Sequence, residues 1–396
     1  MKLFIVFTVV CWGLVLSQHG RKCYDGYKLY EVTPKTEDQA KCLETCRNDP
    51  SYDFWRQPEE LDTSAIVMVA PDTQDLFENL LANNNIGHKV IIDNIESKIQ
   101  EEYAQQNISS RADRGVVTFT EYMRFDEINE YLETLERNYP NIVKIEELGE
   151  SYEGRDLLAV RISSGGSDKP IIFIDGGIHG REWIAPATAL YIINQLVENP
   201  ENDDLYEEVD WVIIPCLNPD GYEYSHTHCY GVDANKNFDV DWGESDNNTD
   251  PCNQMYQGPS PFSEKETQAL RDYLLANKRQ IELYISLHSH GPSILYPGVS
   301  SGSVPKNNEE LYSLAECFKN EMNTKYTVGP GANVLYSTSG QSDNYAMNVA
   351  NIELAYTILL PGDGNNGFDP STANILSIVQ ETWEGVKIFE EHIVER

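Results

Sequence analysis

The sequence predicts an α/β domain, a sheet flanked by helices, preceded by a small α+β domain. Three observations point there. At 396 residues the chain is long for one domain, so one large domain with a smaller companion is expected. A polar stretch from Gln105 to Gly115 interrupts the chain with no apolar periodicity, which reads as a linker. Beyond Val116 several short runs are apolar without alternation, the pattern of strands buried on both faces.

In chain order, Lys2, an apolar run from Leu3 to Leu16, and Val15 and Ser17 before Gln18 form a cleaved secretory signal over residues 1–17. The run is too short for a comfortable membrane span and no other apolar stretch reaches that length, so a secreted, extracellular protein is expected. Residues 18–107 alternate short strands and amphipathic helices: a strand from Tyr27 to Val32, a helix capped by Thr36 and running through Asn48, a strand from Ala65 to Val69, a helix from Asp75 to Leu81 and a strand from Lys89 to Ile92. Residues 108–117 are the linker and 118–396 the large domain. There, Ile128, Tyr131, Leu132 and Leu135 recur at helical spacing after Asp126. Runs at Val143–Ile145, Leu157–Ile162, Ile171–Ile174, Val212–Pro215 and Ala355–Pro361 read as strands. Helices at Ala187–Leu196, Glu264–Leu275, Glu309–Met322 and Ile378–Ile393 can cover both faces.

A formal net charge of −35 excludes nucleic acid and an anionic membrane surface as partners. It would steer a basic ligand favourably, although an acidic surface is more often a matter of solubility. Sequons at Asn107 and Asn247 fit a secretory route. In an oxidising compartment disulfides are permitted. Cys11 leaves with the signal and seven cysteines remain of eight. Cys229 and Cys252 flank a polar loop that a disulfide could staple, and two of Cys23, Cys42 and Cys46 are candidates to pair. Cys216 and Cys317 sit in apolar patterns and read as buried thiols. The odd number leaves at least one unpaired thiol or an intermolecular bridge.

The turn His179-Gly180-Arg181-Glu182-Trp183 and the distant Leu287-His288-Ser289 together look like a zinc site. An imidazole and a carboxylate three residues apart fall on one side of a turn, and a third ligand from elsewhere leaves the fourth position open. With Gly176 to Trp183, Leu217-Asn218-Pro219-Asp220-Gly221-Tyr222, Gly231-Val232-Asp233-Ala234-Asn235, Pro261-Phe262-Ser263-Glu264, Glu381-Thr382-Trp383 and, in the leading segment, Tyr30-Glu31-Val32, the chain resembles the funnelin-type zinc metallocarboxypeptidases. The likeness is to the secreted A/B subfamily made as a proenzyme, and it spans nearly everything after the signal.

The resemblance implies a mixed sheet flanked by helices, an α+β prosegment capping it, and activation by a trypsin-like protease after Arg111 or Arg114. It implies Zn2+ held by His179, Glu182 and His288, with Asp233 orienting the first histidine. Arg181 matches a subsite arginine, Asn235 a contact to the substrate's free carboxylate, and Tyr336 the mobile tyrosine that closes over it. Lys236 replaces an arginine and loses the planar fork that grips a carboxylate. Asp343 falls at the bottom of the side-chain pocket, where an acid favours C-terminal Lys or Arg.

Two departures bear on catalysis. The segment that carries the family's carbonyl-polarising arginine is shortened to Tyr222–His228 before Cys229, and no arginine lies between Arg181 and Arg271. His226 and His228 offer no permanent charge in a rigid fork. The strand that carries the family's general-base glutamate has Leu359 there, and Glu353, six residues back, lies about 20 Å away along an extended strand. No general base is retained. The expectation is a zinc-binding homologue with lost or severely reduced hydrolysis that binds peptide or protein C-termini. The alternatives are a working carboxypeptidase releasing C-terminal residues, basic ones included, and a non-enzymatic inhibitor or decoy whose prosegment occupies another protease.

Overall fold

The computed structural model describes residues 24–46, 49, 51–56, 61–98, 115–223, 231–243, 255–298, 305–334, 339–362 and 370–396. The leading segment holds β1 (Lys28–Thr33), α1 (Glu37–Glu44), β2 (Tyr52–Arg56), β3 (Ala65–Val69), α2 (Gln74–Asn83) and β4 (Gly87–Ile92). Its antiparallel sheet runs β2-β3-β1-β4. Thr36 caps α1, its Oγ1 accepting from Gln39 N at 3.3 Å, and the helix stops at Glu44, short of the expected Asn48. Tyr30, Val32, Val67, Phe77 and Leu81 fill the apolar layer between sheet and helices. Strand β2 was not foreseen. Asp53 and Arg56 interrupt its apolar pattern.

The large domain contains α3 (Phe125–Asn138), β5 (Val143–Glu150), β6 (Asp156–Ile162), β7 (Ile171–Gly176), α4 (Ile184–Glu198), β8 (Asp210–Ile214), α5 (Lys265–Asn277), β9 (Ile281–Ser289), β10 (Ser293–Tyr296), α6 (Asn308–Asn320), β11 (Thr327–Pro330), α7 (Ser342–Asn348), β12 (Leu354–Leu360) and α8 (Thr372–Glu395). Its eight strands are ordered β11-β10-β12-β9-β7-β8-β6-β5. The centre, β12-β9-β7-β8, is parallel, whereas β10 meets β12, and β6 meets both β8 and β5, antiparallel. The sheet is therefore mixed, as expected.

Helices cover both faces. Ile172, Ile174, Leu283, Ile285, Tyr356 and Ile358 point into one core with residues of α3, α4, α6 and α8. Ile171, Phe173, Val212, Tyr284 and Ala355 point into the other, with Leu270 and Leu274 of α5 and Tyr345 and Ala346 of α7. Burial on both sides explains why β7 and β8 read as unbroken apolar runs. The periodicity of α3 is realised as a buried stripe of Phe125, Ile128, Tyr131, Leu132 and Leu135.

One cysteine expectation needs correction. Cys216 is buried, but Cys317 is exposed: the inward stripe of α6 is Leu311, Leu314, Ala315 and Phe318, and Cys317 lies off it. Cys42 and Cys46 are both free thiols in this structure, packed in the apolar cluster of the leading domain. Cys23, Cys229 and Cys252 lie outside the described residues.

Glu390 on α8 is buried. Burial, with Asp204 and Glu391 nearby, pushes its pKa up from 4.5 to about 7. A carboxyl whose folded-state pKa is raised keeps its proton in the native state where the unfolded chain has lost it, so this contribution is present at low pH and lost as pH rises through about 7. Glu390→Gln is expected to stabilise the fold by about 1–3 kcal/mol near pH 8 and by almost nothing near pH 4. Urea unfolding at the two pH values measures the difference.

Candidate functional site

The site forms at the carboxyl ends of the parallel strands, where open α/β sheets present their crevices. Strand β7 ends at Gly176, and the chain turns through Gly177 with φ +70 before His179. Leu217 N and Asn218 N donate to Gly176 O and Gly177 O at 2.9 and 3.1 Å, tying the turn after β7 to the turn after β8. Asn218 adds two bonds: its Nδ2 donates to Ile178 O at 3.1 Å and its Oδ1 accepts from Gly221 N at 2.8 Å. The two turns touch so closely at Gly180 that a Cβ there would stand 2.1 Å from the Gly221 carbonyl carbon, so no larger residue fits without moving backbone.

On this base three side chains converge. Glu182 Oε1 lies 2.9 Å from His179 Nδ1, Glu182 Oε2 lies 2.9 Å from His288 Nδ1, and the two Nδ1 atoms are 3.2 Å apart. Tetrahedral zinc with bonds of about 2.0–2.2 Å separates its ligand atoms by roughly 3.3–3.5 Å, so the cluster is the size of a zinc shell. Two imidazole nitrogens and one carboxylate are also its usual donor chemistry, with one position left over for a catalytic-type site. Two Nδ1 atoms this close must share either a proton or a metal cation between them. Among the described residues this is the group of His, Cys, Asp and Glu side chains with ligating geometry.

The surroundings favour positive charge. Burial works against protonation of His179, but Glu182 and Asp233 outweigh it and push its pKa up to about 10. Glu182 is likewise opposed by burial yet held well below the usual carboxylate range by His179 and His288. Asp233 Oδ1 accepts from His179 Nε2 at 3.0 Å and from Asn235 N at 3.0 Å, which turns the other ring nitrogen toward Glu182.

Of the other expected residues, Asn235 and Leu359 lie beside this cluster. Asn235 is buried, its Nδ2 lies 3.4 Å from His288 Nε2, and its Oδ1 accepts from Ser342 N at 2.9 Å. Lys236 follows it and is buried too. Asp343, on α7, is buried; its Oδ2 accepts from Thr357 Oγ1 at 3.0 Å and its Oδ1 from Asn344 N at 2.7 Å. Burial raises its pKa against these bonds. Arg181, between the two ligand candidates, is half-buried. Leu359 is the Cα partner of His288 in the parallel ladder, so both point out of the same face of the sheet. It is half-buried in a strand whose other residues are buried. Glu353 is exposed at the far end of that strand and pairs with Arg396 at 2.5 Å. Tyr336, Arg111, Arg114, His226 and His228 lie outside the described residues.

Sequence reasoning missed a polar row beneath the cluster. Asp175 on β7, Ser286 on β9 and Thr357 on β12 are register partners and all three are buried. An acid ending an otherwise apolar strand, and a serine two residues before His288, were the available signals. Strand β2 of the leading domain also reaches the site, where His290 Nε2 donates to the Trp55 carbonyl at 3.2 Å.

The zinc carboxypeptidase family model matches residues 128–385, and the carboxypeptidase activation peptide model matches residues 30–102. A carboxypeptidase B from Helicoverpa zea is 32% identical over 97% of this chain and 97% of its own length. One from Astacus astacus is 38% identical over 68% of this chain and 96% of its own. The crystal structure of a carboxypeptidase A from Helicoverpa armigera superposes with a TM-score of 0.82 at 30% identity, covering 94% of this chain and 98% of the other. That of thrombin-activatable fibrinolysis inhibitor gives 0.84 at 26%, covering 93% and 99%. The chain thus belongs to the zinc carboxypeptidase family, whose members bind Zn2+, and it carries that family's activation peptide ahead of its carboxypeptidase domain.

Proposed function

We propose that this is a secreted carboxypeptidase homologue that holds zinc through His179, Glu182 and His288 and engages peptide C-termini while hydrolysing them at a severely reduced rate. The observation that carries the reading is Leu359 beside His288 in the ladder: the cleft-facing position next to the metal cluster offers an isobutyl group that cannot take a proton. Zinc at the cluster would polarise a carbonyl and acidify a water. A positioned general base typically contributes ~10²–10⁴ in rate and a preorganised oxyanion donor about 10²–10³. Losing the glutamate and the arginine segment removes on the order of four to seven decades if the two act independently. Glu353, exposed and paired with Arg396, is no substitute.

The binding side is better preserved. Asn235, Lys236 and Asp343 are buried, and Asp343 is an acid without a cation among its hydrogen-bond partners. An entering Lys or Arg side chain would supply that cation, and a peptide carboxylate would find Lys236 and Arg181. The relatives named carboxypeptidase B support a site that takes peptide C-termini, and the buried acid Asp343 favours a basic C-terminal residue. They equally support the second reading, a working carboxypeptidase that releases such residues.

The rest of the chain is read with this: residues 1–17 as a signal, 18–107 as the prosegment, and 108–117 as a linker cut after Arg111 or Arg114 by a trypsin-like protease. The Trp55–His290 contact fits a prosegment seated over the cleft. Among the described residues no helix is long and apolar enough to cross a membrane.

Trypsin-treated, zinc-loaded protein is expected to show chelator-sensitive release of C-terminal Arg, Lys, Leu or Phe from short peptides only at rates about four or more decades below those of an ordinary enzyme. Release at ordinary enzyme rates would establish the second reading instead. Leu359→Glu is expected to raise hydrolysis, up to the ~10²–10⁴ a general base supplies; a variant as inert as the parent would place the defect in the arginine segment. For Asp343→Asn, affinity for a peptide ending in Arg is expected to fall about 10–100-fold relative to one ending in Leu, the worth of one charged hydrogen bond. Equal affinities in the parent would exclude Asp343 as the selecting group.

A further inference from the structure

His288 aims Nδ1 at the cluster, 2.9 Å from Glu182 Oε2 and 3.2 Å from His179 Nδ1. When Nδ1 serves as a metal donor, the ring proton must sit on Nε2, and in a buried site that proton needs an acceptor. Two groups lie near Nε2: Ser286 Oγ at 3.0 Å and Asn235 Nδ2 at 3.4 Å. The Asn235 amide is oriented by Ser342 N, which donates to Oδ1, so the atom facing the ring is itself a donor. Ser286 Oγ is therefore the acceptor. Having accepted, its own hydroxyl proton must go elsewhere, and Asp175 Oδ1 lies 3.0 Å away.

The geometry points to Asp175 and Ser286 as positioning residues for the metal site: a carboxylate-hydroxyl-imidazole relay fixes the tautomer and orientation of His288, as Asp233 does directly for His179. The inference rests on the zinc-site reading above. The register of the sheet builds the relay, since Asp175 and Ser286 are Cα partners of β7 and β9 and Ser286 precedes His288 by two residues on one face. A purely structural role fits poorly. One row further from the cluster the same strands pair Phe173 with Tyr284, rings stacked with centroids 5.9 Å apart, so ring packing already holds β7 to β9. A carboxylate here is fully buried, with Ser286 donating to its Oδ1 and the Tyr284 hydroxyl beside it, and burying it costs free energy that positive charge on the far side of His288 offsets.

The test uses the full chain stripped of metal, with zinc affinity measured by competition against a chromogenic chelator, the visible spectrum of the Co2+-loaded protein, and the Tm of the metal-free form. Asp175→Asn and Ser286→Ala are each expected to weaken zinc binding about 10–100-fold and to shift the cobalt spectrum. The double variant should be no weaker than the weaker single, because both act along one chain. Ser286→Thr, which keeps the hydroxyl, should restore affinity. Zinc affinity within about twofold of the parent in Ser286→Ala, with only the metal-free Tm lowered, would overturn the relay and leave an ordinary buried polar pair. Should Asp175→Asn not fold, the Ser286→Ala and Ser286→Thr contrast decides alone. A parent that binds no zinc would defeat the zinc-site reading itself, which sets that failure apart from failure of the relay.

Discussion

The parallel register of β7, β9 and β12 is the constraint on which the rest depends. It sets His288 beside Leu359 and sets Asp175, Ser286 and Thr357 in a row beneath them. Because side chains alternate faces along each strand, a slip of one residue would turn the ligand candidate into the opposite core and bring Leu287 or Ile358 to the cleft. The register is held by apolar packing on both faces, so the precision of a polar site is maintained by residues that never touch it. The turns add a second requirement. Glu182 meets both histidines only because the chain after β7 folds back through Gly177 and against Gly221.

Charge is organised around the same point. Glu182, Asp233, Asp175 and Asp343 are all buried or nearly so within one small region. Such a concentration is costly unless a cation joins it. A metal at the cluster answers to Glu182 and Asp233, and a basic substrate side chain would answer to Asp343. The overall charge of −35 acts at longer range, drawing cationic ligands toward the molecule in a salt-dependent way. On the proposed reading, recognition and metal holding would share an electrostatic cause that does not require turnover.

Much of this was legible in the sequence, and the parts that were not have physical reasons. Strands β3, β7 and β8 and helix α3 stood out because their burial is uniform or strictly periodic. Strands β10 and β11 have four residues each, too few for a period to emerge, and β2 carries Asp53 and Arg56. The three ligand candidates could be found from spacing and motif, but the Asp175–Ser286 relay could not, since it exists only once two strands distant in sequence are paired in register. Cys317 was misplaced because one apolar window does not reveal on which side of a helix a residue falls.

The decisive measurement is the fate of a peptide at the site. Zinc-loaded, processed protein is titrated with a short peptide ending in Arg, and the bound peptide is then released and weighed by mass spectrometry. Saturable, zinc-dependent binding with the peptide recovered at full length is expected if the metal cluster and pocket persist without a base at Leu359. Recovery of a peptide shortened by its C-terminal residue, in a chelator-sensitive manner, would contradict this and require a proton acceptor other than the position beside His288.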